Sequence, residues 1–136
     1  METNNWIYFG IFLDNQSKER NLQALKENNI TIPEGWKMFN HHLTIAFNNK
    51  TEDAQSLYNI YKRIFGSETT ITVDGIGISD EAIAMRVKFN NPISNKIPHI
   101  TIATPANGKP VNSNKITNWT DITPYDISGT LNQFTR

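Results

Sequence analysis

The chain has 136 residues, thirteen basic against thirteen acidic side chains, and no cysteine. Balanced charge argues against a protein that tracks long RNA or duplex DNA, which calls for a basic surplus or stripe. The missing cysteines exclude a disulfide framework and any thiolate metal site.

The length suits one domain of 1–136, since domains commonly run to about 100–200 residues. Trp6 to Leu13 is almost continuously apolar and rich in aromatic and β-branched residues, which predicts a buried strand. Asp14 to Ser17 supplies capping residues, and a helix is expected from Ser17 to Asn28, with Leu22 and Leu25 on one face. Pro33-Glu34-Gly35 marks a loop. A short strand at Trp36 to Asn40 leads into a second strand, His41 to Phe47. Thr51 reads as an N-cap, and Ala54, Leu57, Tyr58, Tyr61, Ile64 and Phe65 have amphipathic-helix spacing, ended by Gly66. Thr69 to Ile78 and Ala82 to Phe89 read as a hairpin turning at Ser79-Asp80-Glu81. A loop from Asn90 to Pro98 precedes a strand at His99 to Thr104. Pro105 to Asn114 is a loop region, Ser113 to Trp119 a helical turn, and Ile127 to Phe134 a last strand. No apolar run approaches the ~20 residues of a membrane span. Met1-Glu2-Thr3-Asn4-Asn5 lacks the basic and apolar regions of a leader, so a cytoplasmic location without membrane partners is the expectation.

One pattern stands out. His42-Leu43-Thr44-Ile45-Ala46 recurs as His99-Ile100-Thr101-Ile102-Ala103. In a strand, residues two apart share a face. Each copy therefore presents one imidazole beside one hydroxyl, while the flanking Leu and Ile turn to a core. Imidazole titrates near 6.5, so one histidine can take a proton while the other gives one. The threonine hydroxyls can donate to phosphate oxygens. A lone His-x-Thr is more often a satisfied structural pair than a site. Two copies in matching frames, holding two of the chain's three histidines, favour a site. His41 alternates away from His42 and reads as structural or rim. No H-E-x-x-H and no dense Asp/Glu/His cluster supports a metal, so neither metal nor cofactor is expected.

On these residues the chain resembles the 2H phosphoesterase superfamily, defined by two His-x-Thr motifs in hydrophobic strands. That superfamily includes the LigT-like proteins and cyclic phosphodiesterases. Tyr8-Phe9-Gly10-Ile11-Phe12-Leu13-Asp14, Gly35-Trp36 followed by His41 to Phe47, and Lys96 to Ala103 resemble most closely its small phage members, the anti-CBASS nucleases. The resemblance implies an α+β, bilobal, LigT-like fold, with two antiparallel sheets lining a central groove and helices outside. It implies metal-independent cleavage of 3′–5′ phosphodiesters in cyclic di- or oligonucleotide immune signals, in the host bacterial cytoplasm if phage-encoded. His42 and His99 would be the acid/base pair, and Thr44 and Thr101 would hold the phosphate. Relatives stack an aromatic side chain on a nucleobase. Tyr8 matches best, and Trp36 and Phe47 are further candidates. Trp119 and Lys109 lie in segments able to reach the cleft. Two other readings keep the same site. One is a 2′,3′-cyclic phosphodiesterase that processes RNA ends or metabolites, and the other is a sponge that binds cyclic nucleotides without cutting them.

Overall fold

The computed structural model describes residues 5–135; Met1 to Asn4 of the N-terminal stretch lie outside the described residues. Among the described residues, seven strands and two α-helices form: β1 (Trp6–Leu13), α1 (Asn15–Glu27), β2 (Lys37–Met38), β3 (His42–Phe47), α2 (Glu52–Tyr61), β4 (Glu68–Ile78), β5 (Ile83–Lys88), β6 (His99–Thr104) and β7 (Trp119–Thr135). Short 3₁₀ turns span Lys62–Ile64 and Pro110–Lys115. Among the described residues no helix is long and apolar enough to cross a membrane.

Every strand pairing is antiparallel, and the hydrogen-bonded order is β2-β6-β3-β1-β7-β4-β5. The decisive pairing is β5 with β6, which joins the last strand of that order back to its beginning through Ala84–Thr101, Met85–Ile100 and Arg86–His99. Six strands thus close into a barrel, and β2 adds to β6 outside the ring.

This closure corrects the expected bilobal α+β fold. There are not two sheets facing across a groove with helices outside; there is one closed antiparallel barrel with few helices. The physical reason is the ladder itself. Strands β3 and β6, which carry the two motifs, are direct neighbours, with Leu43 opposite Ile100. The two halves share hydrogen bonds and cannot part as lobes. Closure also removes most of the unpaired edge that an open sheet presents.

Alternation places the core. Phe9, Ile11, Leu43, Ile45, Val73, Met85, Ile100 and Ile102 are buried in one cluster fed by all six barrel strands. Strand β7 is long because it serves two neighbours, pairing with β4 through Trp119–Thr130 and with β1 through Gly129–Thr135. It bulges at Ile122–Pro124, where four residues of β7 advance against two of β4. A proline fits there because no ladder donor is needed.

The helices are capped as their residues suggest. Asp14 accepts the Ser17 amide at 2.7 Å, and Thr51 accepts the Ala54 amide at 3.2 Å. Helix α1 is held to the barrel by polar as well as apolar contacts. Its Ser17 hydroxyl accepts the Ser128 amide at 2.8 Å, and Ala24 and Leu25 are buried. The second helix ends earlier than its apolar spacing predicts, passing into the 3₁₀ turn after Tyr61.

Candidate active site

The register through Leu43 and Ile100 builds the site. In an antiparallel pair, neighbours on either side of a matched pair also face each other. The pairing of Leu43 with Ile100 thus sets the two motifs side by side on neighbouring antiparallel strands. Leu43, Ile45, Ile100 and Ile102 are buried beneath their histidines and threonines. All four motif side chains line one cleft of about 640 Å³, within the ~300–1,000 Å³ range of small-ligand pockets. Lys37, Phe39, Phe47 and Lys109 share its walls.

The two histidines sit differently. The Nδ1 of His99 lies 2.7 Å from the Ile97 carbonyl oxygen. That oxygen can only accept, so Nδ1 carries the proton and Nε2 is left as an acceptor in the neutral ring. Burial pushes the His99 pKa down, and the Ile97 carbonyl partly opposes this. His42 has no such acceptor: its Nδ1 is buried without a hydrogen-bond partner. A bare lone pair is less costly there than a bare N–H, which favours the proton on Nε2. Burial, with a smaller push from neighbouring His41, lowers its pKa to about 4.

Aromatic rings cause that burial. Tyr8 stacks on His42 at 4.8 Å and 21°. The Phe12 ring approaches His42 at 5.4 Å. Tyr8 in turn stacks with Phe134 at 5.2 Å and 17°. Tyr8 is thus stacked with two rings, those of His42 and Phe134. It lines the cleft, yet its contacts are with His42 and its neighbours. Gly10 makes this row possible, because a Cβ there would collide with the Leu43 carbonyl oxygen. Phe47 is exposed and tilted against Tyr8 at 5.5 Å. Trp36 packs against the main core and does not line the cleft. His41 is exposed and joins the cleft rim beside Phe39.

Two positions that sequence reasoning passed over hold the motifs in place. The Ser113 hydroxyl, almost fully buried, lies 2.8 Å from the Thr101 hydroxyl. Thr101 also reaches the Pro110 carbonyl at 3.3 Å. Asn40, also buried, sits at φ 59°, a left-handed conformation that asparagine tolerates better than most residues. Its backbone amide donates to the Thr101 carbonyl at 2.9 Å. Its side-chain amide donates to the Lys18 carbonyl at 2.9 Å, and its side-chain oxygen accepts from Asn21 at 2.9 Å. Asn21 in turn accepts from the Tyr125 hydroxyl at 2.6 Å. The one available signal was an asparagine immediately before the histidine pair. Among the described residues no group of three or more His, Asp or Glu side chains gathers as a metal site would require.

Residues 7–128 match the family model described as the fungal tRNA ligase phosphodiesterase domain. The chain belongs to that family. The domain is of the 2H phosphoesterase type, so the superfamily resemblance of the two His-x-Thr motifs holds at that level. None of the curated proteins matches the chain. Among solved structures, the crystal structure of a fungal RNA kinase aligns with a TM-score of 0.58 at 13% identity. The alignment covers 98% of this chain and 45% of that one. At that identity the likeness speaks for the fold alone, and this family member spans about half the length of the solved chain.

Proposed function

We propose that this family member is a 2′,3′-cyclic phosphodiesterase that opens cyclic phosphates at RNA ends. The observation that carries the reading is the antiparallel register that puts both His-x-Thr pairs on one cleft face. Family membership supports the same activity over cleavage of closed rings.

The proposed reaction needs no metal. A cyclic phosphate lies between the two imidazoles, its non-bridging oxygens accepting from Thr44 and Thr101. The free Nε2 of His99 takes a proton from water as its oxygen attacks phosphorus. The bond to one ribose oxygen breaks, and Nε2 of His42 delivers a proton to that oxygen. The product is an acyclic phosphomonoester. A bound phosphate anion raises the proton affinity of His42, so the acid is charged mainly when substrate is present.

A second reading is favoured by the shape and charge of the cleft. It is compact, partly aromatic, and has Lys37 and Lys109 as its lysines, which suits a small cyclic di- or oligonucleotide. Under this reading the 2′-hydroxyl attacks, and the enzyme silences an immune signal.

The test is incubation in excess EDTA with a short RNA ending in a 2′,3′-cyclic phosphate, beside 3′3′- and 2′3′-cyclic dinucleotides, followed by mass spectrometry. Addition of one water to the RNA end, lost in His99→Ala, is the expected result. Cleavage of the rings alone would transfer the assignment to the second reading. Dependence on a divalent cation would overturn the proposed chemistry.

A further inference from the structure

The Thr101 hydroxyl has two oxygen neighbours and one proton. The Pro110 carbonyl oxygen lies 3.3 Å away and the Ser113 hydroxyl 2.8 Å away. A carbonyl can only accept, so the Thr101 proton goes to Pro110. The contact with Ser113 is then a hydrogen bond only if Ser113 donates. Ser113 is 1% exposed, so its proton has no solvent to turn to instead. The two bonds are unequal. At 3.3 Å the bond to Pro110 exceeds the ~2.5–3.0 Å usual between two oxygens. A better acceptor in the cleft can take that proton away.

Ser113 is firmly mounted. It sits in the 3₁₀ turn Pro110–Lys115, and its carbonyl accepts the Ile116 amide at 3.2 Å. Ile116 is buried in one cluster with Ala82 and Ala84. Ala84 is the residue of β5 that pairs with Thr101. The Trp119 indole secures the contact by donating to the Ile116 carbonyl at 3.1 Å. A side chain at Gly77 would collide with both Trp119 and Ile116. The turn is therefore fixed to the strand beside β6, and Ser113 is held at Thr101 in advance of any ligand. Ser113 stands behind Thr101 and does not itself line the cleft.

We infer that Ser113 is a positioning residue that primes Thr101 to donate to the phosphate. The inference rests on the proposed phosphodiesterase reading and deepens it. Before substrate binds, the Thr101 proton rests on Pro110. A charged phosphate oxygen is a stronger acceptor than a carbonyl, so the proton turns to it. Ser113 donates to the Thr101 oxygen in both states. That bond keeps the oxygen in place and polarises its O–H, because hydrogen bonds in a chain strengthen one another.

The experiment measures opening of adenosine 2′,3′-cyclic phosphate and of the two diastereomers of its phosphorothioate, which put sulfur at one or the other non-bridging position. Ser113→Ala should lower kcat/KM on the oxygen compound roughly 2- to 10-fold, the worth of one hydrogen bond. In a Thr101→Val background the same change should cost nothing, whereas in Thr44→Val it should cost as much as in wild type. Sulfur is the weaker acceptor, so wild type should prefer the isomer that keeps oxygen at Thr101. Ser113→Ala and Thr101→Val should both narrow that preference. Rates lowered equally on both isomers would mark a merely structural role and overturn the inference. So would a Ser113→Ala loss that persists in Thr101→Val, or no loss at all. If Ser113→Ala does not fold, Ser113→Cys, a weak donor, is read by the same criteria. Failure of wild type to open any of the compounds overturns the phosphodiesterase reading instead. Ser113 is then judged by affinity for inorganic phosphate. Losses in Ser113→Ala and Thr101→Val that do not add support its role, and losses that add, or no loss, overturn it.

Discussion

Two imidazoles of the same motif differ because one meets a carbonyl and the other meets rings. The Ile97 oxygen fixes the tautomer of His99, while Tyr8 and Phe12 crowd His42 and leave its Nδ1 without a partner. Under the proposed reaction, that asymmetry favours His42 as the acid for ring opening and His99 as the base. A substrate whose departing ribose oxygen is replaced by sulfur separates the roles, because a thiolate leaves without a proton. His42→Ala should cost about 10²–10⁴-fold on the oxygen substrate and far less on the sulfur one. His99→Ala should cost similar factors on both. Rates for the four combinations, measured near neutral pH, check this. Equal losses for both variants on both substrates would remove the assignment.

At the level of elements, the motif strands depend on what precedes β3. Asn40 ties the chain to β6 through its backbone and to α1 through its side chain. Asn40→Gly keeps the left-handed backbone accessible but drops the side-chain bonds. Asn40→Ala drops the same bonds and adds a conformational cost of about 1–2 kcal/mol. Both variants should therefore be less stable than wild type, with Ala below Gly, and kcat should fall in the same order as His42 loses its register. Urea unfolding and ring-opening rates on the two variants check the order; an Ala variant as stable as Gly would dismiss the role of the backbone. Local signals of this kind separate what was legible from what was not. The alternation of His99-Ile100-Thr101-Ile102 marked β6 with its observed bounds, and Thr51 marked the start of α2. The pairing of Ala84 and Met85 with β6 left no local trace, because alternation tells which face a residue takes and not which strand lies beside it. The same limit hid the start of β7, where Asp121 and Pro124 interrupt the apolar pattern that begins again only at Ile127. Ser113 gave no signal, and Asn40 only its place before the histidine pair, because each matters through a partner in another element.

At the scale of the molecule, closing the barrel makes the site a cost to the whole fold. Both motif histidines are pressed into a surface that disfavours their charged forms, so the native state binds fewer protons than the unfolded chain. The sign follows from linkage: stability falls as pH drops through the unfolded histidine value near 6.5, and His42 stops contributing once pH passes below its native value of about 4. For His42 the whole effect is about 3 kcal/mol, a sizeable part of the ~5–15 kcal/mol that holds a typical domain together. Because β3 and β6 share one ladder with the rest of the barrel, that cost should appear as a shift of a single unfolding transition, not as local fraying of the site. Urea midpoints should therefore decrease steadily from pH 7.5 to pH 4.5. His42→Phe keeps a ring against Tyr8, has no proton to lose, and removes the unpaired Nδ1. It should flatten the decline over that window and raise stability most at its acid end. A slope identical to wild type would mean that His42 is as easily protonated in the folded barrel as in the unfolded chain. The aromatic row of Tyr8, Phe12 and Phe134 would then have no part in tuning the proposed acid.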